Sequence, residues 1–462
     1  MSIPNDIEAL KELVSNLLVR IQELEAENRE LRARLDSNSK NSHRPPSSDG
    51  LRKKPALAKK RKAKGGQKGH KGKTLDMVHN PDKTFPCLPP KRCSCGHTLN
   101  GVTGQVVERR QVFELPQPKL EVIEYQRWAC SCPSCKRVIS GQFPEMVKAP
   151  VQYGAGVKAF TTLLNVRGCL SHDKIKKLFS DLFGYAINEA TIRSANEKVY
   201  QALQQSEQEI FLELLKEQAV HFDETGLRAN GSLHWLHTSS SDAYTYLFVH
   251  KKRGKNALFS DYSLLPFYNQ WAVHDCWSSY FGFTDCRHAV CGAHLLRELL
   301  ALEEQNRKWA AAFRTYLLML YDLTKQGRRT LSAGLRVWAQ RRYDELLAMA
   351  KAEEPPPKKK KGQRGRVKAT KGYNLYRRLE KHKLAVLAFA FHREVPFTNN
   401  QAERDLRPSK VKQKMAGCFR TLRGARIYAR IQGFISTAQK HELNVFKELR
   451  AALNGYPYSF AT

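Results

Sequence analysis

Ala219-Val220-His221-Phe222-Asp223 is a short apolar run that closes on a carboxylate, and Gln270-Trp271-Ala272-Val273-His274-Asp275 repeats the pattern 52 residues later. Between them, Leu233-His234-Trp235-Leu236-His237 and Tyr244-Thr245-Tyr246-Leu247-Phe248-Val249 are two further strand-like runs, parted by the turn residues Ser239-Ser240-Ser241-Asp242. A third acid, Glu403, stands 128 residues beyond Asp275 in Thr398-Asn399-Asn400-Gln401-Ala402-Glu403-Arg404. Asn399 or Asn400 can cap a helix there, which puts Glu403 in its first turn or two. Any one acid at a strand end is an ordinary turn residue; the constellation carries the information. Three carboxylates from separate elements can bridge and flank two divalent ions about 3.5–4 Å apart against a phosphodiester.

A strand ending in an acid, two more strands, then another acid-ended strand is how a ribonuclease-H-like sheet begins. The expected fold is multidomain α+β. Its catalytic core, residues 217–415, is a ribonuclease-H-like mixed sheet with helices. The long second gap leaves room for an all-helical insertion at about 290–395. The helix-breaking basic stretch from Pro355-Pro356-Pro357 to Lys371-Gly372 divides that insertion. Asp285 is a weaker substitute for Asp275, because no apolar run precedes it, and Glu298 is the runner-up third acid. Glu224 should face away from Asp223 on the same strand and be structural. Cys286, His288, Cys291 and His294 are spaced too tightly for the usual zinc finger; His294 suits a phosphate contact better. Arg404 and Arg407 follow Glu403 on its helix and can grip a DNA backbone, or form a solvated basic face.

Upstream, Leu10, Leu17, Leu24 and Leu31 recur every seven residues, with Ile7, Val14, Ile21 and Leu35 in the other seam position and Asn28 as its polar member. That pattern predicts a parallel two-stranded coiled coil over residues 1–36 and hence a homodimer or larger assembly. Residues 37–80 form a flexible basic linker. Arg52, Lys53, Lys54, Lys59, Lys60, Arg61, Lys62, Lys64 and Lys68 have no acid among them, a composition suited to lying along phosphates. Cys93-Ser94-Cys95 and Cys130-Ser131-Cys132-Pro133-Ser134-Cys135 are two knuckles joined by β-like alternation at Glu121-Val122-Ile123-Glu124-Tyr125. They predict a zinc ribbon over 81–150 with a structural Zn2+ on Cys93, Cys95, Cys132 and Cys135; Cys130 and Cys87 are the substitutes. Residues 151–216 are helical, with a helix-turn-helix outline in which Asn188 caps the second helix; 416–462 form a helical tail on the core.

The whole chain supports a polyanionic partner. Among 462 residues, 78 basic against 44 acidic side chains leave a net charge of +34. So large a surplus repels itself in a compact state and points to nucleic acid before an anionic membrane. No apolar run reaches the about 18 residues a membrane span needs. The start has no basic head and apolar core, so a cytoplasmic, nucleoid-associated protein is expected.

In order along the chain come Asn38-Ser39-Lys40-Asn41-Ser42, Pro45-Pro46-Ser47-Ser48-Asp49, Gly65-Gly66-Gln67-Lys68-Gly69-His70-Lys71-Gly72 and the two cysteine knuckles. His221-Phe222-Asp223-Glu224-Thr225, His274-Asp275-Cys276-Trp277, Cys291-Gly292-Ala293-His294-Leu295-Leu296-Arg297-Glu298, Asn399-Asn400-Gln401-Ala402-Glu403-Arg404 and Gly417-Cys418-Phe419-Arg420 complete the series. With these pieces the chain resembles the transposases of the insertion sequence 66 family. The resemblance implies that Asp223, Asp275 and Glu403 are a DDE triad holding two Mg2+ (or Mn2+) ions. It implies an enzyme that binds double-stranded DNA at transposon ends, frees 3′ hydroxyls and joins them to target DNA, with accessory proteins as possible partners. A catalytically inactive DNA-binding regulator and a nuclease without joining activity are the alternatives.

Overall fold

The structure, a computed structural model, describes residues 6–35, 41, 75–324, 329–357, 367 and 369–461. The basic residues between Arg52 and Lys68 lie outside these. The chain divides into two compact units, residues 51–122 and the remainder.

In the smaller unit the knuckle around Cys93 is a turn closed by an isolated antiparallel bridge between Arg92 and Thr98. The strands expected to join the two knuckles, with their alternation at Glu121-Val122-Ile123-Glu124-Tyr125, do not form over residues 106–128. Val106, Val107 and Val122 are 73%, 90% and 84% exposed, and alternation alone makes no strand without a partner to take its hydrogen bonds.

The larger unit opens with helix α1 (Ile7–Leu35), whose heptad side chains are exposed on the single chain. Strands β1 (Ala129–Ser131) and β2 (Val138–Ser140) form a hairpin around the second knuckle. Four helices follow: α2 (Ala155–Val166), α3 (His172–Phe183), α4 (Glu189–Ala202) and α5 (Gln204–Lys216). Between α3 and α4, Gly184 takes the left-handed conformation (φ 72°) that ends a helix, and the Asn188 side chain accepts from the Ala190 N–H, as the sequence suggested.

The sheet comes next. β3 (Ala219–Ala229) turns through Asn230-Gly231, both at positive φ (49° and 70°), into β4 (Ser232–Ser240), as a tight hairpin requires. β5 (Thr245–His250) continues the antiparallel meander. After the short helix α6 (Lys255–Leu258), β6 (Trp271–His274) and β7 (Arg287–Val290) return parallel to β3. The order is β5-β4-β3-β6-β7, so β3 is central. β7 has no counterpart in the sequence pattern.

Over the expected insertion the described residues form five helices joined by loops: α7 (Gly292–Glu303), α8 (Lys308–Leu323), α9 (Ala333–Glu353), α10 (Lys371–Lys381) and α11 (Lys383–Phe391). Its Leu295, Leu299, Phe313 and Leu387 join Val273 and Ala289 of the sheet in one buried cluster. Then come α12 (Asn400–Ala416), α13 (Leu422–Lys440) and α14 (Val445–Leu453). Ile431, Phe434 and Ile435 of α13 pack with Phe222, Tyr246 and Phe248 in another cluster. The contact is close: a Cβ on Gly433 would stand 3.1 Å from the Thr245 carbonyl oxygen. Among the described residues no helix is long and apolar enough to cross a membrane.

Candidate active site

Parallel pairing sets the first two acids side by side. Val220 faces Ala272 and His221 faces Val273 across β3 and β6. Two residues further on stand Asp223 and Asp275 at the same level; Asp275 lies just past the end of β6, but Asp223 is midway along β3, which runs on to Ala229 instead of closing on the acid as the sequence pattern suggested. Asp223 Oδ1 accepts from the Glu224 N–H at 2.8 Å, and Asp275 Oδ1 from the Trp277 N–H at 3.0 Å. Cys276, in the left-handed region at φ 69°, bends the chain between Asp275 and Trp277. Burial, and then the charges of Glu224, Asp275 and Glu403, push the Asp223 carboxyl well above the usual carboxylate range.

The turn carrying Asp275 is held from behind by two neutral histidines. The Cys276 N–H donates to His274 Nδ1 (3.2 Å), so the His274 proton is on Nε2, which meets His288 Nδ1 at 3.1 Å. His288 in turn donates from Nε2 to the Phe283 carbonyl at 2.8 Å. Each ring thus has one donor and one acceptor engaged, and burial lowers the basicity of both.

Glu403 sits in the first turn of α12. Its Oε1 lies 3.5 Å from Arg297 Nη2 and 3.9 Å from His294 Nε2, both on α7. Asn399 does not cap the helix with its side chain, contrary to expectation. Its amide is instead spent on the sheet: Nδ2 donates to the Phe222 carbonyl and Oδ1 accepts from His221 Nδ1, each at 2.8 Å. The Asn399 N–H donates to Cys291 Sγ at 3.1 Å, and the Cys291 N–H donates to the His274 carbonyl at 2.9 Å. One buried residue therefore connects the strand of Asp223, the helix of Glu403 and, through Cys291, the strand of Asp275.

Two residues after Glu403, Asp405 ties α12 to β5 and α13. It pairs with Lys440 (2.8 Å) and accepts from Thr245 (2.9 Å) and Ser436 (3.2 Å). Burial pushes its carboxyl upward, but Lys440 and the hydroxyl donors outweigh that and hold it below the usual range.

The neighbouring candidates are committed elsewhere. Glu224 is buried, bonded to Arg253 (2.7 Å) and Tyr280 (2.5 Å), which makes it structural as expected. Glu298 pairs with Arg378. Asp285 lies exposed in the loop before β7. Cys286 is buried in the apolar core, while Cys291 and His294 face Asn399 and Glu403. Among the described residues no three of His, Cys, Asp and Glu converge closely enough to grip one ion as they stand. The charges of Asp275 and Glu403 both act on Asp223, while Glu403 leans on Arg297 and His294.

A family model described as Transposase IS66 family matches residues 150–427, more than half of the chain and all three acids. The chain belongs to that family. A second model, described as a family of unknown function (DUF6444), matches residues 3–76. No curated protein matches.

In this transposase the family match begins just before α2 and leaves both cysteine knuckles outside it. Each knuckle nevertheless has thiolate-favouring geometry within itself. The Cys93 thiol is lowered first by the backbone N–H of Cys95, and the Cys132 thiol first by those of Cys135 and Ser134. Cys130 lies on β1 opposite Ile139, outside the turn. Arg404 and Arg407 are both exposed on α12. The sequence did not single out Arg297, although it falls one turn after His294 on the same helix face, nor Arg253, whose only signal was the basic run Lys251-Lys252-Arg253-Gly254-Lys255.

Proposed function

We propose that this transposase cuts DNA at the ends of its element to free 3′ hydroxyls and joins those ends to target DNA, with Asp223, Asp275 and Glu403 as catalytic residues. The observation that carries this reading is the pairing of β3 with β6, which sets Asp223 and Asp275 at the same level on neighbouring strands; burial first, and then the charges of Glu224, Asp275 and Glu403, push the Asp223 carboxyl upward. A group of carboxylates that repel one another on neighbouring strands is poised for cation binding, because bound cations turn the repulsion into attraction. The meander followed by two parallel strands, with Asp223 on β3 and Asp275 just past β6, supports a ribonuclease-H-like core.

The donor set fits Mg2+ or Mn2+, since all three side chains offer hard oxygens. Two such ions, when bound, would activate the attacking water or 3′ hydroxyl and stabilise the leaving oxygen. Asp223 and Asp275, held by Glu224, Trp277 and the histidine pair, present oxygens whose positions are set in advance. Glu403 joins them by a side-chain rotation away from Arg297. His294 and Arg297 then face the phosphodiester, with Arg404 and Arg407 along the backbone beyond. The expected result is that Asp223→Asn, Asp275→Asn and Glu403→Gln each lower end cleavage by more than about 10³-fold without unfolding the chain. Retained cleavage in any one of them removes that residue from the set, and retained cleavage in Asp275→Asn would favour a binding-only protein.

Two supporting parts belong to the same reading. The two knuckles offer Cys93 and Cys95, and Cys132 and Cys135, as thiolates for a structural Zn2+, a set that rests on their sequence pattern; metal analysis should give one zinc per chain, lost when Cys132 is changed to Ser. The exposed heptad face of α1 suits a second copy of the chain, bringing two element ends together near the nucleoid of the cytoplasm. Sedimentation of the intact chain as a monomer would exclude that pairing.

A further inference from the structure

A second basic element stands beside the acids. The loop after β5 reads Lys251-Lys252-Arg253-Gly254-Lys255. Its backbone is pinned, since the Lys252 carbonyl accepts from Nε2 of the buried His237 at 3.4 Å. The Arg253 guanidinium carbon lies 4.4 Å from the Trp277 ring centre and 5.0 Å from that of Trp235. Its Nε donates to Glu224 Oε1 at 2.7 Å, and the other Glu224 oxygen is taken by the Tyr280 hydroxyl. Two indoles and one carboxylate thus fix the guanidinium plane, while the Arg253 side chain stays 40% exposed. Among the described residues its Nη groups make no further hydrogen bond. Trp277 is also the residue whose N–H holds Asp275, and the Asp275 charge reaches Arg253.

We infer that Arg253, with Lys251, Lys252 and Lys255 around it, forms a preorganised subsite for one DNA backbone phosphate next to the phosphodiester that is cut. Arginine suits this role because Nε stays on Glu224 while the Nη donors in the same plane match two phosphate oxygens. The indoles and Glu224 already hold the side chain in place, so little side-chain freedom is lost on binding. A phosphate there offsets the cation that Glu224 only partly neutralises. The inference rests on the proposed cleavage function for its location but not for its measurement.

The test is charge interference, read as binding in EDTA so that no cleavage is needed. Duplexes carrying one terminus of the element are made with a single uncharged methylphosphonate at successive backbone positions. In the parent chain one position near the cut should weaken binding about 10-fold, as expected for a lost charge-assisted contact. In Arg253→Ala that position should become silent while others keep their effect. Arg253→Lys retains a cation for Glu224, so it remains folded, and should lose most of the same coupling. Changing the three exposed lysines to Ala together should reduce the slope of log affinity against log salt by up to about 2.7. Equal interference profiles in parent and both Arg253 variants would overturn the inference. If the coupling appears but the chain never cleaves, the catalytic reading fails and the subsite stands.

Discussion

The side chain of Asn399 should matter more to this transposase than its place before a helix suggests. Replacing it by Ala removes two hydrogen bonds of 2.8 Å and leaves the Phe222 carbonyl and the His221 Nδ1–H without partners. All three residues are buried, so water does not replace the lost partner without rearrangement. Each buried polar group left unsatisfied costs about 1–3 kcal/mol, which sets the expected loss at about 2–6 kcal/mol. For a domain of some 150–250 residues that is a fall in melting temperature on the order of 10 °C. The Cys291 bond survives, since it uses the backbone N–H. The assay is denaturant unfolding followed by tryptophan fluorescence, because Trp271 and Trp277 flank the affected strands. Asn400→Ala, exposed and one residue away, is the control and should change stability by under about 0.5 kcal/mol. An Asn399→Ala chain within that same range would refute the clasp. Cleavage should fall in parallel, because the strand of Asp223 and the helix of Glu403 lose their common tether.

Asp223→Asn should melt higher than the parent at neutral pH while losing cleavage. The raised carboxyl ionises less readily folded than unfolded, so its charge lowers stability as pH rises above the ordinary carboxylate value. Adding Mg2+ or Mn2+ should raise the melting temperature of the parent and leave Asp223→Asn almost unmoved; equal shifts would place the ions elsewhere. His237, buried and held down at about 4 chiefly by burial, binds fewer protons folded than unfolded. Its contribution is complete above about 6.5 and is lost as pH falls towards 4, on the order of 3 kcal/mol in all. His237→Phe, which can stack on Phe248 as the imidazole does, should flatten that part of the stability profile in a pH series of melts. Lys440→Met should cost about 3–5 kcal/mol by stranding Asp405, with much of it recovered in the double variant Asp405→Leu, Lys440→Met; additive losses would argue against a coupled pair.

What could be read without coordinates was whatever short-range pattern encodes. The apolar runs leading to Asp223 and Asp275, the meander between them, the Gly184 turn with its Asn188 cap and the helices between Gly292 and Phe391 all depend on neighbours within a few residues, whereas the continuation of β3 past Asp223 to Ala229 was not read. The same rules failed where a local pattern had no long-range partner, as along Val106, Val107 and Val122, and where an element was too short to show a period, as in the four residues of β7. Only tertiary structure decided that Asn399 serves the sheet rather than its helix, that Glu403 leans on Arg297, and that Arg253 lies flat between two indoles. Those contacts join residues far apart in the chain. Their hydrogen-bonding capacity is written in the amino acid, but the partner that satisfies it is chosen by how the sheet and helices pack.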